Sequence, residues 1–319
     1  MIMDGRGNLY GTTLESGEFN DGVVFKLAGK KETVLHSFTG GKDGGFVTSG
    51  LIMDGKGSLY GTAAYGGDLD CDYPGGCGVV FKLAGKELTV LHNFKESPDG
   101  DNPYAALLLD AEGNLYGTTR TGGEPYSAGT VFEVSATGKE SVLHRFRMNY
   151  KVGHDGQLPE TVVVRDAQGN LYGTTEEGGP SGGGVVYEIT TDGAEKILHD
   201  FCTGDCSDGV FPNGLIIDAK GNLYGTAFGG GLNDDGTIFM ITPAPSHSDQ
   251  ISLDKHVEDR SASVNRPLHS NPRLQGQCEI GIFRQSSSWP SPAAGVHLLG
   301  STAGEPDETT RDLFCPSIQ

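Results

Sequence analysis

The chain has 319 residues and a formal net charge of −19 at pH 7. A surface this acidic repels phosphate backbones, so we expect no nucleic-acid partner. The sequence contains no apolar run of about 18 residues or more, so it predicts no membrane-spanning helix. Glycine contributes 51 residues, roughly twice the usual share, without the three-residue period of collagen. This glycine content, together with regular apolar segments, predicts many tight turns between short strands.

One sequence unit of about 50 residues recurs five times, starting at the first residue. Its clearest mark is the motif Leu-Tyr-Gly-Thr, with an aspartate six residues before the tyrosine. The motif residues are Tyr10, Tyr60, Tyr116, Tyr172 and Tyr224, with Asp4, Asp54, Asp110, Asp166 and Asp218. The predicted units are 1–49, 50–104, 105–160, 161–213 and 214–242. Because residue 1 falls inside a unit, we expect a chain truncated at its front edge, whose missing signal peptide leaves the compartment open.

Each unit is predicted to contain four β-strands in chain order. In the third unit these strands are 106–109, 114–119, 129–134 and 141–146. An Asp-x-x-Gly turn joins the first two strands, because aspartate bonds nearby backbone and glycine accepts a positive φ. The fifth unit ends after its third strand, and residues 295–299 are a candidate for the missing fourth strand.

Four short strands per unit at this period are typical of β-propeller blades. We therefore predict an all-β fold in which residues 1–242 form a propeller of about five blades. Large residues on both faces of the second strand, such as Leu115 and Tyr116, indicate a sheet covered on two sides. A closed ring and an incomplete ring both stay open at this point. Residues 243–319 are predicted to be a largely disordered tail.

A Val/Ile-Leu-His-x-Phe segment closes each of the first four units. Its histidines are His36, His92, His144 and His199. Simple strand alternation places Val34, His36 and Phe38 on one face of the sheet. A residue repeated in several units usually serves packing or turning, so we interpret these histidines and the motif tyrosines as structural rather than as metal ligands.

The combined pattern of Asp-x-x-Gly-Asn-Leu-Tyr-Gly-Thr-Thr, Gly-Gly, Gly-Thr-Val-Phe and Val-Leu-His-x-Phe resembles the bacterial choice-of-anchor tandem repeat GloVer proteins. The resemblance extends over residues 1–241. It implies a secreted or surface-attached β-propeller-like repeat protein whose members end in different anchoring segments. It supplies no catalytic residues, and the region after residue 243 shows neither an apolar helix nor an evident sorting signal.

The long, variable connections follow the second and fourth strands of the units, so they lie on one rim of a four-stranded meander. That rim is the candidate binding face. The candidate binding residues on it are Asp43, Asp99, Asp101, Asp155, Asp208, Tyr65, Tyr73 and Tyr126. The four aspartates that precede glycine form either an acidic ring that holds Ca²⁺ or simple turns. The tyrosines keep a sugar-stacking interpretation open.

Two close pairs of cysteines bracket variable loops. Cys71 and Cys77 flank one loop, and Cys202 and Cys206 flank another. The spacing favours two local disulfides, which suits an oxidising compartment, over free thiols or a metal site. Cys278 and Cys315 stay unassigned.

These observations favour a non-enzymatic extracellular or cell-surface protein that presents its variable face to a protein or a polysaccharide. The alternative is a propeller enzyme, a hydrolase or lyase acting on extracellular carbohydrate or lactone, with a divalent cation in its central channel. An enzyme should bring non-repeated ionisable residues together in one pocket, whereas a scaffold should show repeated or scattered ones.

Overall fold

A computed structural model describes residues 1–71, 75–95, 97–123, 128–147 and 155–243, and the backbone of 280–282. The described residues contain no α-helix, and none of them forms a segment that could cross a bilayer as a helix. They form five antiparallel sheets of four strands, each a simple meander in chain order. We call these sheets blades 1 to 5.

The strands of each blade follow one another along the chain. Blade 1 contains β1 (Ile2–Met3), β2 (Leu9–Thr13), β3 (Val23–Ala28) and β4 (Lys31–Ser37). Blade 2 contains β5 (Ile52–Met53), β6 (Leu59–Ala63), β7 (Val79–Ala84) and β8 (Glu87–Asn93). Blade 3 contains β9 (Leu108–Leu109), β10 (Leu115–Thr119), β11 (Thr130–Val134) and β12 (Glu140–Arg145). Blade 4 contains β13 (Val164–Arg165), β14 (Leu171–Thr175), β15 (Val185–Ile189) and β16 (Glu195–Asp200). Blade 5 contains β17 (Val210–Ile217), β18 (Leu223–Gly229), β19 (Thr237–Ile241) and β20 (Ile280–Ile282).

The fourth strand of blade 5 comes from a segment that the sequence did not indicate. Strand β20 pairs antiparallel with β19, with Ile280 opposite Ile241 and Ile282 opposite Phe239. The fourth-strand position is therefore taken by residues 280–282. Residues 295–299, the candidate from the sequence, lie outside the described residues, as does most of the predicted tail.

The recurring aspartate organises the turn between the first two strands of a blade. In blade 3, the Asn114 backbone N–H donates to Asp110 Oδ1 at 2.7 Å, and the Tyr116 hydroxyl donates to Asp110 Oδ2 at 3.1 Å. Burial by itself would raise the pKa of Asp110, but these hydrogen bonds and the Arg165 guanidinium hold it below its usual value. The six-residue spacing thus places the tyrosine hydroxyl within hydrogen-bond distance of the aspartate across the tight turn.

The blades pack face to face in chain order, which is the arrangement of a β-propeller. Four apolar clusters join blades 1 and 2, 2 and 3, 3 and 4, and 4 and 5. Each contains an edge-to-face aromatic pair between the closing phenylalanine of one blade and the third strand of the next. These pairs are Phe38–Phe81, Phe94–Phe132, Phe146–Tyr187 and Phe201–Phe239.

In blades 1 to 4, a β-bulge interrupts the pairing of the third strand with the fourth strand, which carries the histidine. The simple alternation predicted for this fourth strand is therefore wrong. In blade 2 the register shifts between Val80 and Phe81. Val90 consequently packs toward blade 1, while Phe94 packs toward blade 3. The residues equivalent to Val34 and Phe38 therefore lie on opposite faces, because the extra residue of a bulge reverses the alternation.

Candidate functional site

The positions that differ between blades meet on the rim formed by the ends of the second strands and the connections from one blade to the next. The backbone conformation at this rim is the same at equivalent positions of successive connections. Phe46, Asn102, Leu158 and Phe211 have φ between 53° and 57°, in the left-handed region. In blade 3, the Arg120 backbone N–H donates to Asn102 O at 2.9 Å, and in blade 4 the Glu176 N–H donates to Leu158 O at 3.0 Å. One fixed backbone thus presents different side chains at equivalent places.

Three of these non-repeated side chains form a charged cluster, which we call the Arg120–Glu160–Glu176 cluster. Arg120 Nε donates to Glu160 Oε1, and the Arg120 guanidinium also lies 5.8 Å from the centre of the Tyr104 ring. Burial raises the pKa of Glu176, and the neighbouring Glu160 carboxylate raises it further, while Arg120 opposes the shift. The cluster therefore holds one carboxylate paired with a cation beside a second glutamate that releases its proton less readily than usual.

A cleft of about 400 Å³ opens beside this cluster, between blades 4 and 5. Its lining comprises Glu160, Thr161, Glu176, Phe211, Pro212, Asn213 and Phe228. Phe228 is 81% exposed and Phe211 is 38% exposed, so two aromatic rings face solvent next to the carboxylates. A cleft that combines exposed rings with a few polar groups has the composition of a small-ligand site.

A larger cleft of about 590 Å³ lies at the opposite rim, between blades 2 and 3. Its lining includes Asp54, Tyr60 and Asp110, which are the turn residues repeated in every blade. These side chains already bond one another across their own turns. The repeated lining favours a packing origin for this cleft, and the non-repeated cleft is the better candidate site.

The four aspartates that precede glycine are each bonded within their own blade. The histidine Nε2 and aspartate Oδ2 atoms lie 3.0, 2.7, 3.1 and 3.1 Å apart in the pairs His36–Asp43, His92–Asp99, His144–Asp155 and His199–Asp208. The other carboxylate oxygen of each aspartate accepts a backbone N–H, as from Arg147 to Asp155 at 2.8 Å. Among the described contacts, none joins two of these aspartates, so each stabilises its own connection.

The remaining candidates have separate positions. Asp101 is buried, which raises its pKa, and it accepts a hydrogen bond from the Thr121 hydroxyl. The Tyr65 ring packs edge to face on Phe46 at 5.0 Å, and its hydroxyl lies 3.5 Å from that of Tyr104. Tyr73 and Tyr126 lie outside the described residues, as do Cys278 and Cys315.

Each close pair of cysteines is joined in the structure. The structure links Cys71 to Cys77 and Cys202 to Cys206, with Cα–Cα distances of 5.9 and 3.8 Å. Both bonds close short loops on the variable rim.

One further grouping was missed from the sequence. His92 and Asp99 of blade 2 meet Glu140 of blade 3, and one nitrogen or oxygen atom from each lies within 4.8 Å of the others. Glu140 stands opposite Val134, the register position that Leu88 occupies opposite Leu83 in blade 2. An alignment of the units by strand register would have revealed this leucine-to-glutamate difference. The Arg120–Glu160–Glu176 cluster was missed because its members come from three separate connections.

Among solved structures, the chain is similar to a streptogramin B lyase, with 16% identity, a TM-score of 0.48, and coverage of 76% of this chain and 64% of that one. It is similar to a catalytically inactive virginiamycin B lyase from Staphylococcus aureus with quinupristin, at 13% identity, a TM-score of 0.47 and coverage of 76% and 65%. A putative gluconolactonase gives 14% identity, a TM-score of 0.42 and coverage of 68% and 66%. The chain thus spans just under two thirds of each of these proteins, and these identities carry no activity over to it.

Comparison with curated proteins gives no match. A family model described as the Gloeobacter/Verrucomicrobia repeat matches residues 1–163 and 147–266. Those two overlapping matches take in all five motif tyrosines. On that coverage, the chain belongs to the Gloeobacter/Verrucomicrobia repeat family.

Proposed function

We propose that this protein is a non-enzymatic extracellular or cell-surface propeller that binds a polysaccharide in the cleft beside the Arg120–Glu160–Glu176 cluster. The observation that carries the proposal is the exposed Phe228 ring beside Glu176, Asn213 and Thr161 in one cleft. Aromatic faces cover the apolar C–H face of a sugar, while carboxylates, amides and hydroxyls bond its hydroxyl groups.

Charge narrows the class of polysaccharide. Two glutamates line the cleft, and the whole chain carries a net charge of −19. Anionic polymers would be repelled on approach, whereas neutral or cationic sugars would not. The expected ligand is therefore a neutral or amino-sugar polymer.

An extracellular location is part of the proposal and is supported by the two disulfides, which persist in oxidising compartments. Intact-mass measurement of the protein isolated from its native compartment, before and after reduction, tests it. A gain of at least four hydrogens on reduction is expected from the two disulfides of the described residues. Free thiols at Cys71, Cys77, Cys202 or Cys206 in that material would contradict an oxidising location.

The binding proposal is tested by titrating the chain calorimetrically with cello-, chito- and chitosan-oligosaccharides, with alginate oligosaccharides as the anionic control. Phe228→Ala should weaken binding roughly tenfold, as expected for loss of a central aromatic contact. Phe19→Ala is the matched control, because Phe19 is 50% exposed on a loop of blade 1 and lies outside the cleft lining. Binding to none of the neutral or cationic sugars, or equal effects of the two substitutions, would overturn a polysaccharide ligand and leave a protein ligand as the better hypothesis.

A second candidate function, a hydrolase or lyase acting on carbohydrate or lactone, is favoured by the pairing of Glu160 with Glu176. A glutamate with a raised pKa can donate a proton in the pH range where an ordinary glutamate is ionised. Glu160 is already paired with the Arg120 guanidinium, however, whereas a glycosidase needs its second carboxylate free to act as the nucleophile or the base. That pairing supports binding ahead of hydrolysis.

Glu176→Gln separates the two functions. A binding protein should release no product from the bound oligosaccharide, with or without this substitution. Product release by the unchanged chain that Glu176→Gln abolishes, with binding retained, would establish the enzyme instead.

A further inference from the structure

We infer that His92, Asp99 and Glu140 form a binding site for a first-row divalent metal ion such as Zn²⁺ at the interface of blades 2 and 3. The site lies in a different place from the polysaccharide cleft and does not depend on the proposed function. Its three side chains come from two blades, so a bound ion would also cross-link them.

Glu140 carries an unsatisfied carboxylate oxygen. Glu140 Oε1 is buried and has no hydrogen-bond partner among the described residues. Burial of an oxygen that lacks a hydrogen-bond partner is unfavourable. The Arg145 charge acts on Glu140, but Arg145 Nε donates its hydrogen bond to the Pro98 carbonyl oxygen at 3.0 Å. Among the described residues, Glu140 Oε1 therefore has no hydrogen-bond partner that would compete with a metal ion.

The spacing of the three side chains suits a single metal ion. His92 Nε2 and Asp99 Oδ2 are 2.7 Å apart, and each of the three residues offers an atom within 4.8 Å of the other two. Ligand atoms on a tetrahedral zinc ion, with bonds of about 2.0–2.2 Å, lie roughly 3.4 Å from one another. Only small side-chain movements separate the present arrangement from three-coordinate ligation, and a water molecule would complete the tetrahedron.

The ligand atoms favour zinc or a neighbouring metal over Ca²⁺. One imidazole and two carboxylates match the nitrogen and oxygen ligand sets of zinc and its neighbours, whereas Ca²⁺ takes six to eight oxygen ligands. Two carboxylates also supply the negative charge that a divalent cation would neutralise in a half-buried position.

The neighbouring interface provides a natural comparison. Between blades 1 and 2, the His36–Asp43 pair has the same hydrogen bond, but the register position of Glu140 is held by Leu88. The histidine–aspartate pair is therefore a structural element that needs no ion, and the added glutamate is what turns one copy into a site. Glu195 holds the same register position in blade 4, near His144 and Asp155, and its Oε1 is also buried without a hydrogen-bond partner among the described residues. Its group does not meet the three-way distance of His92, Asp99 and Glu140, so spacing is what distinguishes the site.

Metal binding by the full chain, stripped with a chelator and titrated with ZnCl₂, tests the inference by native mass spectrometry and calorimetry. Glu140→Leu should lose one zinc equivalent, and the fold should persist because Leu88 occupies that position in blade 2. Zinc held by cysteines or histidines elsewhere contributes equally to both proteins and cancels in the comparison. Unchanged stoichiometry and affinity in Glu140→Leu would overturn the inference.

The reverse substitution gives an independent measurement. Leu88→Glu should add one zinc equivalent at His36 and Asp43, and Co²⁺ should give a new visible absorption band from a low-symmetry site. If Leu88→Glu does not fold, Glu140→Leu still decides the matter. A folded Leu88→Glu protein that gains neither zinc nor the cobalt band would count against a site made by this ligand set.

Discussion

The central blades and the two end blades are built from the same sequence unit, yet their apolar faces have different environments. Val80, Val131 and Val186 are fully buried, whereas Ile238, at the same register position in blade 5, is 50% exposed. On the other end, Met3 is 68% exposed, while its equivalent Met53 packs into the cluster between blades 1 and 2. Burial in this protein is therefore supplied by the neighbouring blade and not by the unit itself, as in other stacked repeat structures.

The largest expected difference between the two environments concerns the aromatic residue of the third strand. Phe132 is fully buried between blades 2 and 3, whereas the equivalent Phe25 of blade 1 is only half-buried. Phe132→Ala should destabilise the fold by about 3–5 kcal/mol, and Phe25→Ala by clearly less. Urea unfolding of both variants measures the difference. Equal losses would show that the first blade is covered in solution.

The glycine of the Leu-Tyr-Gly-Thr motif sharpens the same comparison. A Cβ on Gly117 would lie 2.5 Å from Phe132 Cζ and 2.8 Å from Leu107 Cδ2, both in a packed interface. A Cβ on Gly11 would meet Phe25 Cζ at 2.7 Å and Met1 Cγ at 2.9 Å, but Met1 is 78% exposed and can move aside. Gly117→Ala should cost about 1–3 kcal/mol and Gly11→Ala less, as measured by thermal unfolding. The opposite order would contradict tighter packing around Gly117 than around Gly11.

The turn aspartate adds a pH dependence. The Asp110 side chain is 3% exposed and also contacts Arg165, whereas the corresponding Asp218 of blade 5 is paired only within its own turn in the described contacts. Asp110→Asn should cost about 1–2 kcal/mol at neutral pH, as expected for lost hydrogen bonds to a charged group, and Asp218→Asn less.

The sign of the pH effect follows from the lowered pKa of Asp110. A lowered folded-state pKa stabilises the fold above the usual value of 3.8, and that contribution is lost as the pH falls through the folded value. The difference in melting temperature between the unchanged chain and Asp110→Asn should therefore shrink below about pH 4. A difference that stays constant down to pH 2 would show that ionisation of Asp110 does not matter.

The smallest change in stability is expected at the exposed Ile238 of blade 5. Ile238→Thr places a hydroxyl where solvent already reaches, and should change stability by no more than about 0.5 kcal/mol. Val131→Thr buries the same hydroxyl in the interface of blades 3 and 4, at a cost of about 1–3 kcal/mol. Parallel denaturant titrations compare the two. A large loss in Ile238→Thr would mean that blade 5 has a partner in solution.

Much of the fold could be predicted because the residues that form the turns and the packed faces recur in each unit. The aspartate, tyrosine and glycine of each unit sit in one turn and one strand, so their spacing is local and readable. The predicted strands of the third unit lie within two residues of β9 to β12. The bulge beside Phe132 was not readable, since it depends on pairing with the next strand, and it changed which face the histidine strand presents.

The candidate sites, in contrast to the fold, were largely not predictable from the sequence. Asp99 was picked out because its Asp-Gly pair recurs, but its partner Glu140 lies in the next blade, outside the motifs that mark each unit. Arg120, Glu160 and Glu176 carry no motif at all. They meet because the left-handed residues Asn102 and Leu158 bring successive connections to the same rim.

The sequence by itself determined the all-β class, the five units, the strand order within a blade and the rim on which variation lies. It could do so because each of those features depends on residues a few positions apart, repeated five times. Only the tertiary structure decided which faces are covered, which strand completes blade 5, and which carboxylates meet a histidine or an arginine. Those outcomes depend on contacts between blades, where residues some 40 positions apart touch, and no local pattern encodes that distance.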